Sequence, residues 1–172
     1  MHNIYLSDRE NGFFYQNQPN SIKISGDNKE VLAGSAQNEL FLHDIEHSRV
    51  YLKLEQAHKE AINSVCYLNR SSSNIILSAG DDSVIKLWDK RALTSGNRPS
   101  GAFFGHAEGI THIASKGDDK FIASNGKDQL LKLWDLRKLV EADIIAHVNV
   151  PPKLGYDFTS QKYPREERQL KI

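Results

Sequence analysis

The sequence predicts an all-β fold made of repeated, antiparallel, four-stranded sheets that are arranged as the blades of a β-propeller. Residues 80–91 and 126–137 match in order, because each contains a turn, an apolar run, a Trp-Asp pair and an arginine two residues later. Four such apolar runs end at Asp8, Asp44, Asp89 and Asp135, which are 36, 45 and 46 residues apart. Two of these three spacings lie near the period of about 40 to 45 residues that is expected for a propeller blade.

Each repeat unit divides into short segments that are rich in β-branched and aromatic residues and bounded by Gly, Asn, Asp and Ser. This pattern is typical of strands and turns and lacks helical periodicity. The predicted strands are 21–25, 31–34 and 40–43 in the first full unit, 62–67, 75–78 and 84–88 in the second, and 110–114, 121–124 and 130–134 in the third. Phe103 and Phe104 are predicted to form the outer strand of the second unit.

These strands predict repeat units at about 21–57, 58–104 and 105–137, with residues 1–20 as the end of a preceding blade. Residues 1–137 would then form an incomplete propeller of about three blades and one strand of a fourth. Closed propellers hold about four to eight blades, so the chain is expected either to be a fragment or an isoform of a longer protein or to have open, apolar blade faces that need a partner or aggregate. Residues 138–172 show no repeat and are predicted to be a linker or an insertion, since Pro151-Pro152 breaks any strand.

The composition excludes several classes of protein. Lys plus Arg and Asp plus Glu each total 22, so no net basic charge favours direct binding to nucleic acid. The single cysteine, Cys66, excludes an intrachain disulfide and a cysteine-rich zinc site, and the sequence predicts no cofactor and no bound metal. No apolar run is long enough to cross a membrane, and a nuclear or cytoplasmic location is expected.

Both complete units repeat one spacing of polar residues, in which a serine lies ten residues and an aspartate six residues before the tryptophan. With the histidine that opens each unit, the two sets are His58, Ser78, Asp82, Trp88 and His106, Ser124, Asp128, Trp134. An imidazole, a hydroxyl, a carboxylate and an indole N–H can satisfy one another's hydrogen bonds when they are desolvated.

These residues, with Gly105-His106 opening a unit and Trp134-Asp135 closing it, resemble WD40 repeats over residues 21–137. The resemblance implies that each set forms a buried tetrad that fastens a loop to the interior of its blade. The first full unit has Ala33, Gln37 and His43 at the aligned positions, so its tetrad is expected to be absent.

A Ser, a His and an Asp in one set also suggest nucleophilic catalysis. No nucleophile elbow and no glycine motif of the oxyanion-hole type accompany them. The sequence therefore favours a structural role for both sets and predicts that the protein is not an enzyme.

Both complete units also end in a W-D-x-R motif. Such tandem motifs are similar to those of the WD40 proteins that act as substrate receptors of cullin-4 ubiquitin ligases. The resemblance implies that Arg91 and Arg137 lie on one rim and face the damaged-DNA-binding adaptor of the ligase. The residues implied in adaptor binding are Trp88, Asp89, Arg91, Trp134, Asp135 and Arg137.

The run from Gly105 to Asp128, together with Tyr156-Asp157-Phe158 after the last blade, resembles the WD repeat-containing protein 23 family. That resemblance implies a receptor that recruits a protein substrate for ubiquitin transfer and does no chemistry itself. The alternative is a generic WD40 scaffold in another multiprotein complex.

Overall fold

The computed structural model describes residues 18–93 and 98–141, which form twelve β-strands in three antiparallel sheets. Blade A contains β1 (Pro19–Ile24), β2 (Glu30–Ser35), β3 (Leu40–Asp44) and β4 (Arg49–Leu54). Blade B contains β5 (Ile62–Tyr67), β6 (Ile75–Gly80), β7 (Val84–Asp89) and β8 (Gly101–Phe104), and blade C contains β9 (Ile110–Ser115), β10 (Phe121–Gly126) and β11 (Leu131–Asp135). The predicted all-β, antiparallel fold is confirmed.

Every strand predicted within the described residues is present, and its bounds shift by no more than two residues. Two further strands, β4 and the short β12 (Val140–Glu141), were not predicted. The predicted strand at residues 4–8 and most of the predicted linker, residues 142–172, lie outside the described residues.

The strands of each blade run in sequence order from the inside of the molecule to the outside. β5 packs against both β1 and β9, which identifies the first strand of each blade as the inner one. β12 breaks this order, because the chain leaves β11 of blade C and pairs with the outer strand of blade B, at Val140 opposite Ala102. A Cβ atom at Gly101 would lie 2.4 Å from Leu139, so glycine is required where β12 docks.

Alternation along the strands divides each blade into two apolar faces. In β7, Trp88 packs toward blade A, whereas Ile85 and Leu87 pack toward blade C. The core between blades A and B contains Leu32, Leu40, Leu42, Ile62, Val65 and Ile76, and the core between blades B and C contains Leu77, Ile110, Ile113 and Ile122. Neighbouring blades therefore bury their facing apolar side chains against each other, as propeller blades do.

Polar contacts repeat at the same two junctions. The Asn20 side chain donates to the carbonyl of Ile62 (3.1 Å), and the Asn63 side chain donates to the carbonyl of Ile110 (3.0 Å). A serine follows each of these asparagines. Ser21 accepts the backbone N–H of Val65, and Ser64 accepts the backbone N–H of Ile113 at 3.1 Å. These contacts fix the position of each inner strand relative to the next one.

Candidate protein-interaction site

The four residues of the blade B set meet in one hydrogen-bonded chain. The indole N–H of Trp88 donates to Ser78 Oγ (2.8 Å), and Ser78 lies 2.7 Å from His58 Nε2. His58 Nδ1 lies 2.9 Å from Asp82 Oδ2. Asp82 also accepts the backbone N–H of Val84, which closes the turn between β6 and β7. The set therefore joins the loop before β5 to the turn after β6.

The order of donors and acceptors in this chain fits a neutral imidazole. Trp88 can only donate, so Ser78 directs its own hydrogen to His58 Nε2, and His58 Nδ1–H donates to Asp82. Burial is the largest influence on the pKa of His58 and lowers it, against the opposing effect of Asp82. Burial alone would raise the pKa of Asp82, but the hydrogen bonds from His58 and the Lys59 N–H outweigh it and hold that pKa below its usual value.

Blade C contains the same arrangement in a less buried setting. His106 Nδ1 lies 2.8 Å from Asp128 Oδ2, and His106 Nε2 lies 2.7 Å from Ser124 Oγ. Trp134 donates to Ser124 Oγ at 2.7 Å. Trp134 is only half-buried, whereas the equivalent Trp88 is 1% exposed, because no described blade covers the far side of blade C.

Each set also includes a lysine whose role was not predicted from the sequence. Lys86 donates to the carbonyl of Ala57 (2.6 Å), and Lys132 donates to the carbonyl of Gly105 (2.5 Å). Both acceptors directly precede the histidine of their set. Burial lowers the pKa of Lys86. The signal was present in the sequence, since both repeats place a lysine two residues before the tryptophan.

Blade A lacks the arrangement. Ala33 and His43 occupy the positions of the serine and the tryptophan, with Ala33 opposite Phe41 and His43 opposite Val31 in the pairing of β2 and β3. His43 is buried, and its Nδ1 atom has no hydrogen-bond partner among the described residues.

The geometry of Ser, His and Asp in blades B and C follows the order of a catalytic triad, but the serines cannot reach a substrate. Ser78 is 0% exposed and Ser124 is 3% exposed, and each oxygen already accepts an indole N–H. Within residues 18–93 and 98–141, no group of three or more His, Cys, Asp or Glu side chains is placed to hold a metal ion. In the same part of the chain, no helix has the length and apolar character needed to cross a membrane.

The two arginines of the W-D-x-R motifs are exposed and held in the same way. Arg91 Nε and Nη2 donate to the two carboxylate oxygens of Asp89 at 2.9 and 2.7 Å. Arg137 Nε and Nη2 donate to the carboxylate of Asp135 at 2.9 and 2.6 Å. The arginine side chains are 68% and 77% exposed. The side-chain hydrogen bonds from Arg137 lower the pKa of Asp135 to about 2, so this ion pair persists over the physiological range.

Strand register places both arginines at one end of the blades. Asp89 pairs with Ile75 at the start of β6, and Asp135 pairs with Phe121 at the start of β10. The tetrad aspartates lie in the turns at the opposite end of the same strands. We call the end that carries Arg91 and Arg137 the arginine rim and the other end the tetrad rim.

The structure corrects one part of the predicted adaptor-binding set. Trp88 lies inside the blade and is 1% exposed, so it supports the chain before Arg91 and cannot contact a partner itself. Trp134 packs between the blades, with its ring 5.4 Å from that of Phe103. Asp89, Arg91, Asp135 and Arg137 remain at the surface of the arginine rim.

The fold and the tetrads define a class of protein. A family model described as "WD domain, G-beta repeat" matches residues 49–89 and 97–135. Each matched segment begins near the outer strand of one blade and ends with the third strand of the next. The chain therefore contains WD40 repeats in these two segments.

The chain is also similar in sequence to individual proteins of known name. The chain is 42% identical over 101 residues to the "DDB1- and CUL4-associated factor 11 homolog" of Caenorhabditis elegans, covering 58% of this chain and 18% of that protein. It is 39% identical over 151 residues to the "LEC14B protein" of Lithospermum erythrorhizon, covering 88% of this chain and 31% of that protein. The predicted resemblance to the WD repeat-containing protein 23 family is confirmed by the first of these relatives.

Among solved structures, the WD40 repeats of RRP9 match with a TM-score of 0.64 at 13% identity, covering 75% of this chain and 38% of that one. This likeness concerns the fold alone. The chain spans less than a third of the length of both curated relatives.

Proposed function

We propose that the protein carrying this chain is a substrate receptor of a cullin-4 ubiquitin ligase and that it binds the DDB1 adaptor through Arg91 and Arg137. The names of the relatives support the coarser part of this proposal, since the matched proteins include factors associated with DDB1 and CUL4. The observation that carries the finer part is the pair of exposed arginines, each clasped by an aspartate, at equivalent positions of neighbouring blades.

The clasp prepares each arginine for a contact with a partner. A guanidinium has five N–H donors, and Asp89 or Asp135 occupies the Nε and Nη2 edge. The Nη1 edge is left for carbonyl or carboxylate oxygens of a partner. Because the aspartate fixes the plane of the guanidinium, binding costs less side-chain entropy than it would for an unrestrained arginine.

The tetrads support this function without touching the adaptor. Each one fixes the third strand of its blade from the tetrad rim, and the W-D-x-R turn follows directly at the other end of that strand. In this role the protein recruits a protein substrate and takes no part in bond formation, which agrees with the buried serine oxygens.

The experiment that tests the proposal reverses the charge of both arginines in the full-length protein. Arg91→Glu combined with Arg137→Glu is expected to weaken binding to purified adaptor by at least about tenfold, because each glutamate loses the hydrogen bonds of the arginine and repels the oxygens that the arginine faced. Binding is measured by biolayer interferometry, and melting temperature is measured in parallel.

The control is Lys59→Glu, which makes the charge change of one of the two arginine substitutions at an exposed position on the tetrad rim, and Arg91→Glu alone is compared with it directly. Unchanged adaptor affinity in the double arginine variant, with a normal melting temperature, would refute the proposal. A scaffold of another complex would then be the better account, and different proteins would copurify with the wild-type chain.

A further inference from the structure

The hairpin of blade A that corresponds to the two arginine turns has no W-D-x-R sequence, yet it is built in the same way. Asp44 ends β3 as Asp89 ends β7 and Asp135 ends β11. Asp44 Oδ1 accepts the backbone N–H of His47 (3.1 Å), and Asp44 Oδ2 lies 2.8 Å from His47 Nδ1. The arginine turns show the same pair of contacts, one from a backbone N–H and one from a side chain.

His47 is also presented to solvent as the arginines are. Its side chain is 60% exposed and that of Asp44 is 26% exposed. The backbone and side-chain hydrogen bonds from His47 lower the pKa of Asp44, so the carboxylate is charged and fixes the imidazole through Nδ1–H. His47 Nε2 is then the atom that is left for a partner. Ile45, in the same turn, is 40% exposed.

The hairpin is tied to the Arg91 turn by an ion pair between the blades. Lys90, the variable residue of the first W-D-x-R motif, lies 2.5 Å from Glu30, and Glu30 pairs with Asp44 across β2 and β3. Glu30 also accepts the phenol O–H of Tyr51 at 2.8 Å. Both partners of the ion pair are mostly buried, so the turn that carries His47 and the turn that carries Arg91 are held in one relative position.

We propose that His47 and Ile45 extend the adaptor-binding surface onto blade A, and that the partner places an N–H or O–H donor against Nε2 of His47, beside the oxygens that it places against Arg91 and Arg137. The inference rests on the proposed function, since it assumes that the arginine rim faces the adaptor. It goes beyond the motif, because blade A has Glu46 at the position of the motif arginine.

The tautomer fixes the chemistry of this contact. His47 Nδ1–H donates to Asp44, so Nε2 carries a lone pair and accepts a hydrogen bond. The partner group that fits Nε2 is therefore an N–H or O–H donor.

The test uses the full-length protein and purified adaptor. His47→Ala is expected to weaken binding about two- to fivefold, because it removes the acceptor. His47→Arg is expected to weaken binding about tenfold, because it sets a donor and a positive charge against the donor of the partner. Because His47 is exposed, the melting temperature of these variants should not change, and His47→Ser replaces any variant that melts early.

Each outcome decides between the two proposals. If the double arginine variant loses binding while His47→Ala and His47→Arg bind as the wild type does, the contact on blade A is refuted and the proposed function stands. If His47→Arg weakens binding no more than Glu46→Gln does, which also makes this turn more positive, the effect is one of net charge and the contact is also refuted. If the double arginine variant binds normally, the proposed function fails and this inference fails with it.

Discussion

Removing one hydroxyl from each tetrad gives a matched pair of perturbations. Ser78→Ala deletes the oxygen that accepts the indole N–H of Trp88 and donates to His58. Both groups are buried, with Trp88 1% and His58 2% exposed, so water cannot replace the lost partner. Leaving a buried polar group unsatisfied costs about 1 to 3 kcal/mol. We expect Ser78→Ala to lower the free energy of unfolding by about 2 to 5 kcal/mol.

Ser124→Ala makes the same chemical change in blade C, where Trp134 is only half-buried. Water can reach the indole N–H there, so we expect a loss of about 1 to 2 kcal/mol, from the histidine side alone. Urea unfolding followed by far-ultraviolet circular dichroism measures both values. Equal losses for the two variants, or a smaller loss for Ser78→Ala, would refute the argument that burial sets the strength of the tetrad.

Three further predictions concern stability at low pH, the space beside Gly101 and the reactivity of the Cys66 thiol. The folded-state pKa values of His58 and Asp82 are both depressed, so their contribution to stability is complete only above about pH 6.5. This contribution falls first as His58 of the unfolded chain takes up its proton, and it falls again below about pH 4 as Asp82 of the unfolded chain does so. Urea unfolding at stepwise pH should show both declines, and a flat profile would contradict them. Gly101→Ala places a Cβ within 2.4 Å of Leu139 and should speed amide hydrogen exchange at Val140; unchanged exchange would contradict this. Burial raises the pKa of the Cys66 thiol to about 12, so iodoacetamide should modify it only after unfolding, and rapid labelling of the folded protein would count against the structure.

The repeated spacing made the blades and both tetrads predictable, because these features depend on residues that lie within one unit. The offsets of Ser78, Asp82 and Trp88 follow from a fixed strand, turn and strand, and the same local geometry recurs in blade C. Likewise, the arginine that follows each Trp-Asp pair stands on the same rim because the third strand of each blade has the same direction.

Features that depend on contacts between units were missed. β12 exists because the chain after β11 returns to the edge of β8, and no periodicity marks a two-residue strand that pairs with a distant partner. The ion pair between Glu30 and Lys90 joins residues 60 positions apart. The role of Lys86 was within reach, because a lysine repeated at a half-buried strand position requires an acceptor.

The clasp of His47 by Asp44 was hidden for another reason. Blade A carries a histidine three residues after its aspartate where the other blades carry an arginine two residues after theirs, so an alignment on the motif places Glu46 at the position of the arginine. Only the folded hairpin shows that a different side chain reaches the same carboxylate.

The central claim is that the arginine rim is the surface that meets the adaptor. Hydrogen exchange of the full-length protein with and without purified DDB1 tests it most directly, because it locates the interface without any substitution. The account predicts slower exchange at residues 89–91 and 135–137 and unchanged exchange in the tetrad-rim turns at 80–83 and 126–129. Protection of the tetrad-rim turns, with none at the two arginine turns, would contradict it.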